Sequence, residues 1–257
     1  EQKKKYLPKF ASGERLATVA VTEPSGGSDP KGCRTTYKKV NGAYVLNGRK
    51  CFITNSHTAD VQVVLAVDEG NPDAFTTFIV EKGMNGFKPT HEEHKVGMRG
   101  CNTGESEMKD VAVPAENVLG GEGKGLKVAM AAIGDVGRGG MVGCALGLQK
   151  ACLEVSVKFS NERILYGKPI SNLQAIQFKI AEMKIDLEAG RLLGYRAAAL
   201  QDKGGRSSNE FAVAKYYTTD AAQTAAKTAV DTHGEYGCME EFPVTRSLRD
   251  SFVLGPS

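Results

Sequence analysis

The sequence predicts an α+β fold: a β-barrel or sandwich domain followed by an all-α helical bundle domain. Three observations carry this. Residues 16–113 hold short apolar or alternating runs with turn signals between them. No helical stretch interrupts those runs. After Pro114 the period changes, and apolar residues recur at helical spacing to the end of the chain.

Val19-Ala20-Val21, Tyr44-Val45-Leu46, Val61 to Val67 and Phe75 to Val80 read as strands. Asn41-Gly42, Asn47-Gly48 and Asn71-Pro72-Asp73 read as turns, since asparagine and glycine tolerate the backbone a tight reversal needs. From Gly125 onward no strand-like alternation appears. Ile176, Ile180, Met183 and Leu187 follow one another by four, three and four residues, which places them on one helical face. Small residues crowd Ala197 to Ala199 and Ala221 to Ala229 and suit close helix packing. Breaks at Gly167-Lys168-Pro169, Gly204-Gly205 and Gly234 to Gly237 leave about three long helices and a shorter one near Val244 to Ser251. No repeat or low-complexity segment stands out.

The 257 residues suffice for one or two domains with a substantial core, and 41% hydrophobic with 25% charged content is ordinary for a globular protein. A net charge of +3 gives no argument for nucleic acid, and Lys3, Lys4, Lys5 and Lys9 read as a solvated helix face. No stretch reaches the roughly 18–20 uninterrupted apolar residues of a membrane span. The opening Glu1 to Lys5 is neither a secretory signal nor a transit peptide. The six scattered cysteines form no Cys-x-x-Cys pair, which points to reduced thiols in a cytosol-like compartment. His91 and His94 lack a third ligand nearby, so no metal site is expected.

Four segments have the residue types for chemistry. Thr22-Glu23-Pro24-Ser25-Gly26-Gly27-Ser28-Asp29 closes the first strand. Its glycines permit positive φ and let backbone N–H groups approach an anion; an ordinary hairpin turn is the other reading. Cys51-Phe52-Ile53-Thr54-Asn55 ends a later strand and sets an aromatic and a hydroxyl on one face. That pair suits a flat heterocycle, or simply a packed strand end. Gly120 to Gly125 is not a phosphate loop, because Gly125 stands where serine or threonine would hold magnesium, and a flexible domain junction accounts for it better. Asp135-Val136-Gly137-Arg138 sits among Gly134, Gly139 and Gly140. Glycines there cost about 1 kcal/mol each against alanine, so another helix or a ligand must come close. His233 reads as a satisfied structural histidine.

The order TEPSGGSD, KCFITN, KVGMRG, DVAVPAENVLG, DVGR, NERILYGKPI with Gln174, and FPVTRSLRD resembles the acyl-CoA dehydrogenase flavoprotein family over essentially the whole chain. DVGR is nearer to short-chain members than to medium-chain ones.

The resemblance implies roles for particular residues. Val21 to Asp29 would wrap the ring of FAD, with Thr22 at its pyrimidine edge and Ser28 serving both pyrophosphate and ligand. Phe52, where relatives usually carry tryptophan, would lie beside the ring, and Thr54 near the reactive nitrogen, with Ile53 between them. Phenylalanine keeps the flat surface and loses the indole donor. Arg163 and Gln174 would grip the FAD of a neighbouring subunit, with Tyr166 in the same segment. Asp231 and Gly234 would touch that same cofactor, although relatives carry glutamine in place of Asp231 and glycine in place of Glu235. Asp135 and Arg138 would line the acyl-CoA channel beside Ser28.

The implied organisation is residues 1–15 as a remnant of an N-terminal helical domain, 16–119 as the flavin-binding β-domain and 120–257 as an incomplete helical bundle. The catalytic glutamate would fall just after Ser257, and Gly137 occupies the alternative position used by some branched-chain enzymes. No base is therefore expected within these residues. The implied activity is α,β-dehydrogenation of a short-chain acyl-CoA in fatty acid or amino acid catabolism. Electrons would pass to electron-transfer flavoprotein, from a homotetramer or homodimer in the bacterial cytoplasm or mitochondrial matrix. A non-catalytic FAD-binding scaffold and an oxygen-using oxidase are the alternatives.

Overall fold

In a computed structural model the chain is described over residues 1–256, apart from the side chain of Asp135. It divides into two compact units, one of residues 1–94 and 99–132, the other of residues 95–98 and 133–257.

The first unit is built on one mixed eight-stranded sheet. After helix α1 (Gln2–Ala11) come β1 (Ala17–Ala20), β2 (Thr36–Val40), β3 (Ala43–Thr54), β4 (Val61–Asp68), β5 (Asn71–Glu81), β6 (Phe87–Glu92), β7 (Thr103–Val113) and β8 (Val118–Leu119). The order is β6-β7-β3-β2-β4-β5-β8. One edge of β4 is shared by two parallel partners, β1 at Val61 to Val64 and β2 at Val67 and Asp68. The sheet curls so that Tyr37, Leu46, Ile53, Val64, Phe78, Met108 and Val111, from five different strands, meet in one core. A single curled sheet, not two stacked ones, resolves the barrel-or-sandwich expectation.

Alternation decides which side chains enter that core. In β3, Tyr44, Leu46, Lys50, Cys51 and Ile53 are buried while Arg49, Phe52 and Thr54 are exposed. Tyr37, Tyr44 and Phe78 pack edge-on with centroids 5.0–5.7 Å apart, an arrangement aromatic quadrupoles favour. Asn41 (φ 51) and Gly42 (φ 82) join β2 to β3 as the two-residue hairpin the sequence implied. Asn47-Gly48 is different: it lies inside β3 at a bulge, where a Cβ on Gly48 would stand 2.4 Å from Thr35 Oγ1. Backbone proximity, not chain reversal, requires that glycine. Asn71 to Asp73 likewise opens β5, and the bend precedes it at Glu69-Gly70.

The glycine-rich stretch before helix α2 (Gly125–Ala131) is no free linker. Glu122 accepts from Tyr44 Oη at 2.7 Å and the N–H of Gly123 donates to Thr76 Oγ1 at 3.0 Å.

The second unit is helical. A π-helical turn, Ala132–Gly137, leads into α3 (Arg138–Glu162), followed by α4 (Gln174–Asp202), α5 (Ser208–His233) and α6 (Pro243–Leu254). Its only strands among the described residues are β9 (Ile164–Leu165) and β10 (Lys168–Pro169), a two-residue pairing too short to show as alternation. Ala214, Ala221, Ala222, Ala225, Ala226 and Ala229 are buried along α5, so the helices approach closely. Gly190 serves the same end: a Cβ there would lie 2.9 Å from Thr218 Cγ2. Met183 and Leu187 are buried on the expected face of α4, with Ile176 and Ile180 half-buried.

Among the described residues one helical run, Gly125–Glu162, is long and apolar enough to cross a membrane by length and composition. Core helices of globular proteins can be equally long and apolar, and α3 buries Val142, Ala145, Gln149, Cys152, Ser156 and Ser160 along one side. Four of these six are polar or thiol-bearing, which suits helix packing better than lipid contact.

Candidate functional site

In the first unit the fold brings the glycine-rich turn and the aromatic strand end together. The N–H of Cys51 donates to the carbonyl of Thr22 at 3.0 Å, so Thr22 and Phe52 are neighbours across the sheet. Between Lys50 and Ile53 the pairing of β3 with β7 slips at a bulge, and Phe52 takes φ 55. A bulky residue rarely holds positive φ, and the cost, about 1 kcal/mol or more, is tolerated where a side chain must be re-aimed. Here it directs the phenyl ring outward: Phe52 is 64% exposed although its neighbours Cys51 and Ile53 are buried. Thr54 is exposed as well, giving the aromatic and the hydroxyl on one face. The side chain of Ile53 faces the core, which leaves only its main chain available to a ligand. Val21 is partly buried against the cluster of Leu65, Val67, Phe75 and Ala129.

The turn itself is tight. An added Cβ on Gly27 would lie 2.9 Å from both Cγ2 and Oγ1 of Thr22. Glu23 and Gly26 exchange main-chain hydrogen bonds at 3.2 and 2.9 Å, Asp29 caps the next short helix through the N–H of Lys31, and Ser28 is exposed.

Sequence reasoning missed what lies beneath this turn. Lys50 is fully buried and Glu23 nearly so, with Nζ 2.7 Å from Oε1. Glu23 also accepts from the N–H groups of Arg34 at 2.6 Å and Thr35 at 2.9 Å. Burial alone would raise the Glu23 carboxyl; the adjacent Lys50 charge and these donors outweigh burial and hold it at about 2. Burial pushes the Cys33 thiol up to about 11, so Cys33, whose sulfur lies 3.2 Å from Glu23 Oε1, is no ready nucleophile. The one available signal was the alternation of β3, which sets Lys50 at an inward position and demands an acidic partner. The partner's identity, 27 residues away, needed the fold. A cavity of about 360 Å³ beside the turn is lined by Glu23, Pro24, Ser25, Arg34, Thr35, Gly48 and Arg49; Thr22 and Phe52 do not line it.

The second unit gathers another set. Arg163 follows α3, and its guanidinium lies over the Tyr236 ring at 5.6 Å, within cation–π range. This brings Arg163 to the segment that follows Gly234, which ends α5 at φ 60. Tyr166 stands at the tip of the β9–β10 hairpin, 92% exposed with φ 51, and Gln174 is the exposed first residue of α4. Asp231 is already engaged, 2.8 Å from Lys227 and 3.6 Å from Lys179. His233 is the structural residue expected: Nδ1 lies 2.7 Å from the Ala229 carbonyl, the ring stacks on Phe159 at 4.2 Å, and burial lowers its pKa. Arg138 Nη1 donates to the Ser208 carbonyl and hydroxyl at 3.4 and 3.3 Å. Ser208 and Phe211 are what the local glycines admit, since a Cβ would meet them at 3.2 Å from Gly134 and 3.1 Å from Gly139. Asp135 belongs to the π-helical turn, a feature frequent at functional sites, but its side chain lies outside the described residues, as does the expected base position after Ser257.

None of the six cysteines is disulfide-bonded, and no group of three or more His, Cys, Asp or Glu among the described residues could hold a metal ion.

Known proteins resemble the chain in sequence and in fold. Residues 18–111 match the family model for the acyl-CoA dehydrogenase middle domain, and residues 123–255 match that for the acyl-CoA dehydrogenase C-terminal domain. An acyl-CoA dehydrogenase of Bacillus subtilis is 44% identical over 98% of the chain and 67% of its own length. An acryloyl-CoA reductase (NADH) of Anaerotignum propionicum is 41% identical over 98% of the chain and 65% of its own. Butyryl-CoA dehydrogenase of Megasphaera elsdenii superposes with a TM-score of 0.96 at 40% identity, covering 98% of the chain and 67% of that structure. The chain thus spans about two thirds of the length of the relatives it matches. On these matches and on this fold, the chain belongs to the acyl-CoA dehydrogenase family.

Proposed function

We propose that the chain supplies the flavin-binding β-domain, residues 16–119, and much of the helical domain, residues 120–257, of an enzyme that desaturates a short-chain acyl-CoA thioester between its α and β carbons. One observation carries the reading: the hydrogen bond from Cys51 to Thr22 sets the glycine-rich turn beside an outward-facing Phe52 and Thr54.

FAD fits the residues present. Phe52 offers a flat apolar face, held outward at a backbone cost that packing within the chain does not repay. Thr22 and Thr54 offer hydroxyls, and Gly27 leaves no room for a side chain against Thr22. Val21, Ile53 and Ser28 complete that wall. Arg163, Tyr166, Gln174 and Gly234, with Asp231, form an exposed set suited to the FAD of a neighbouring subunit in a homotetramer or dimer. When bound, the flavin would supply the acceptor for a hydride from the β carbon.

The chain's own residues bind and orient. Arg138, pinned by Ser208, would bind the acyl-CoA. Fixing the thioester relative to the flavin wall converts an encounter into a near-unimolecular step. Electron-transfer flavoprotein is the proposed acceptor, in a bacterial cytoplasm or mitochondrial matrix. The reductase from Anaerotignum propionicum favours a second reading, in which the same site runs in the opposite direction on an enoyl-CoA.

The test uses the longest polypeptide that carries these residues. Anaerobic butyryl-CoA should bleach the bound flavin, and slow recovery in air would separate a dehydrogenase from an oxidase. Flavin reoxidised by crotonyl-CoA but never bleached by butyryl-CoA would favour the reductive direction. No response to either thioester would refute both readings.

A further inference from the structure

The buried pair beneath the turn has no part in the binding described so far, yet its geometry is directed at that site. Lys50 Nζ reaches Glu23 Oε1 at 2.7 Å, the Val21 carbonyl at 3.1 Å and Cys33 Sγ at 3.5 Å. Val21 and Glu23 are the two neighbours of Thr22. Lys50 itself lies two residues before Phe52 and four before Thr54, on the same strand. One ammonium group therefore ties both sides of Thr22 to the strand that presents the aromatic and the hydroxyl. Glu23 extends the tie, holding the N–H groups of Arg34 and Thr35 and so the chain leaving the turn.

Two features argue that this does more than stabilise. Burying two charges is a poor route to stability, because desolvation offsets most of the attraction, and apolar residues of similar volume often do as well. The turn carries two adjacent glycines, Gly26 at φ 148 and Gly27; its internal Glu23–Gly26 hydrogen bonds fix its shape but do not fix its position against β3, which must come from outside the turn. A binding group displaced by a fraction of an ångström loses much of its effect, which makes such support necessary.

We propose that Glu23 and Lys50 are positioning residues that fix the Thr22 turn against Phe52 and Thr54 for flavin binding, a role that rests on the flavin reading above. Neither residue is assigned contact with flavin or substrate.

The experiment compares the wild-type chain with Lys50→Met, Glu23→Gln and the double variant Glu23→Gln/Lys50→Met. Each single change strands a buried partner and lowers the melting temperature whatever the role. The double variant removes both charges and should recover most of that loss. A positioning role predicts that its FAD dissociation constant nonetheless stays about tenfold or more above wild type, the expected loss for a charge-assisted hydrogen bond. It also predicts an altered visible circular dichroism of the bound flavin. A double variant matching wild type in stability, affinity and dichroism would overturn the proposal. Amide exchange over residues 22–29 without flavin gives an independent decision: faster exchange in the double variant supports the role, and unchanged exchange overturns it. Wild-type protein that binds no FAD would sink the functional reading alone, since exchange would still judge the pair.

Discussion

Glu23 is held at about 2 against 4.5 for a free glutamate, and that displacement sets a measurable acid sensitivity. A carboxyl whose folded-state pKa is depressed contributes stability that is complete well above the unfolded value and lost as pH falls towards the folded one. The window therefore runs from about pH 5.5 down to about pH 2. In full that displacement corresponds to about 3 kcal/mol, of which roughly a third to a half is gone by pH 3.5. Other carboxylates add to the acid loss. Glu122 is lowered by Tyr44, Glu188 by Lys184 and Asp231 by Lys227. The informative quantity is therefore the difference between wild type and Glu23→Gln. At pH 7 the variant should be less stable by about 3–5 kcal/mol, because Lys50 is left buried without its counter-charge. Between pH 7 and pH 3.5 that deficit should shrink by about 1 kcal/mol, as wild type gives up what the variant never had. Urea unfolding followed by far-ultraviolet circular dichroism measures both, the chain having no tryptophan. A deficit constant to within about 0.5 kcal/mol over this range would refute the account of Glu23, since the uncertainty of such differences is no larger.

Four further outcomes are expected. Phe78→Ala, which removes a fully buried ring from the Tyr37–Tyr44 cluster, should cost about 3–5 kcal/mol in urea unfolding. Gly125→Ala should destabilise by about 1–3 kcal/mol, because the new Cβ meets the Thr76 main chain at 2.4 Å. Gly143→Ala, where nothing lies within 4 Å, should instead stabilise α3 by about 0.5–1 kcal/mol; both are read from the urea midpoint, and equal shifts would contradict the packing. Phe52→Gly should relieve the positive φ, leaving stability unchanged or about 1 kcal/mol higher while weakening FAD binding. A loss of stability without a loss of flavin affinity would mean the ring packs within the chain.

The division into a strand-rich first part and a helical second part was legible in the sequence, because alternation and 3.6-residue periodicity are properties of local chain geometry. The Asn41-Gly42 hairpin, the breaks at Gly167, Gly204 and Gly234, and the face of α4 centred on Met183 and Leu187 follow from the same local rules. The ordered series of motifs pointed to the family. What sequence could not decide depended on residues distant along the chain. Asn47-Gly48 has the composition of a turn, yet it is a bulge because Thr35 crosses it. The glycine run before Gly125 has the composition of a linker, yet Tyr44 and Thr76 hold it. The outward aim of Phe52 comes from a slip in pairing with β7. The buried Lys50–Glu23 pair exists only because curling of the sheet brings two charges 27 residues apart out of water together. A charge at a strand position shows that a partner is required, but only the tertiary fold selects which one, since electrostatic pairing depends on distance in space and not on spacing along the chain.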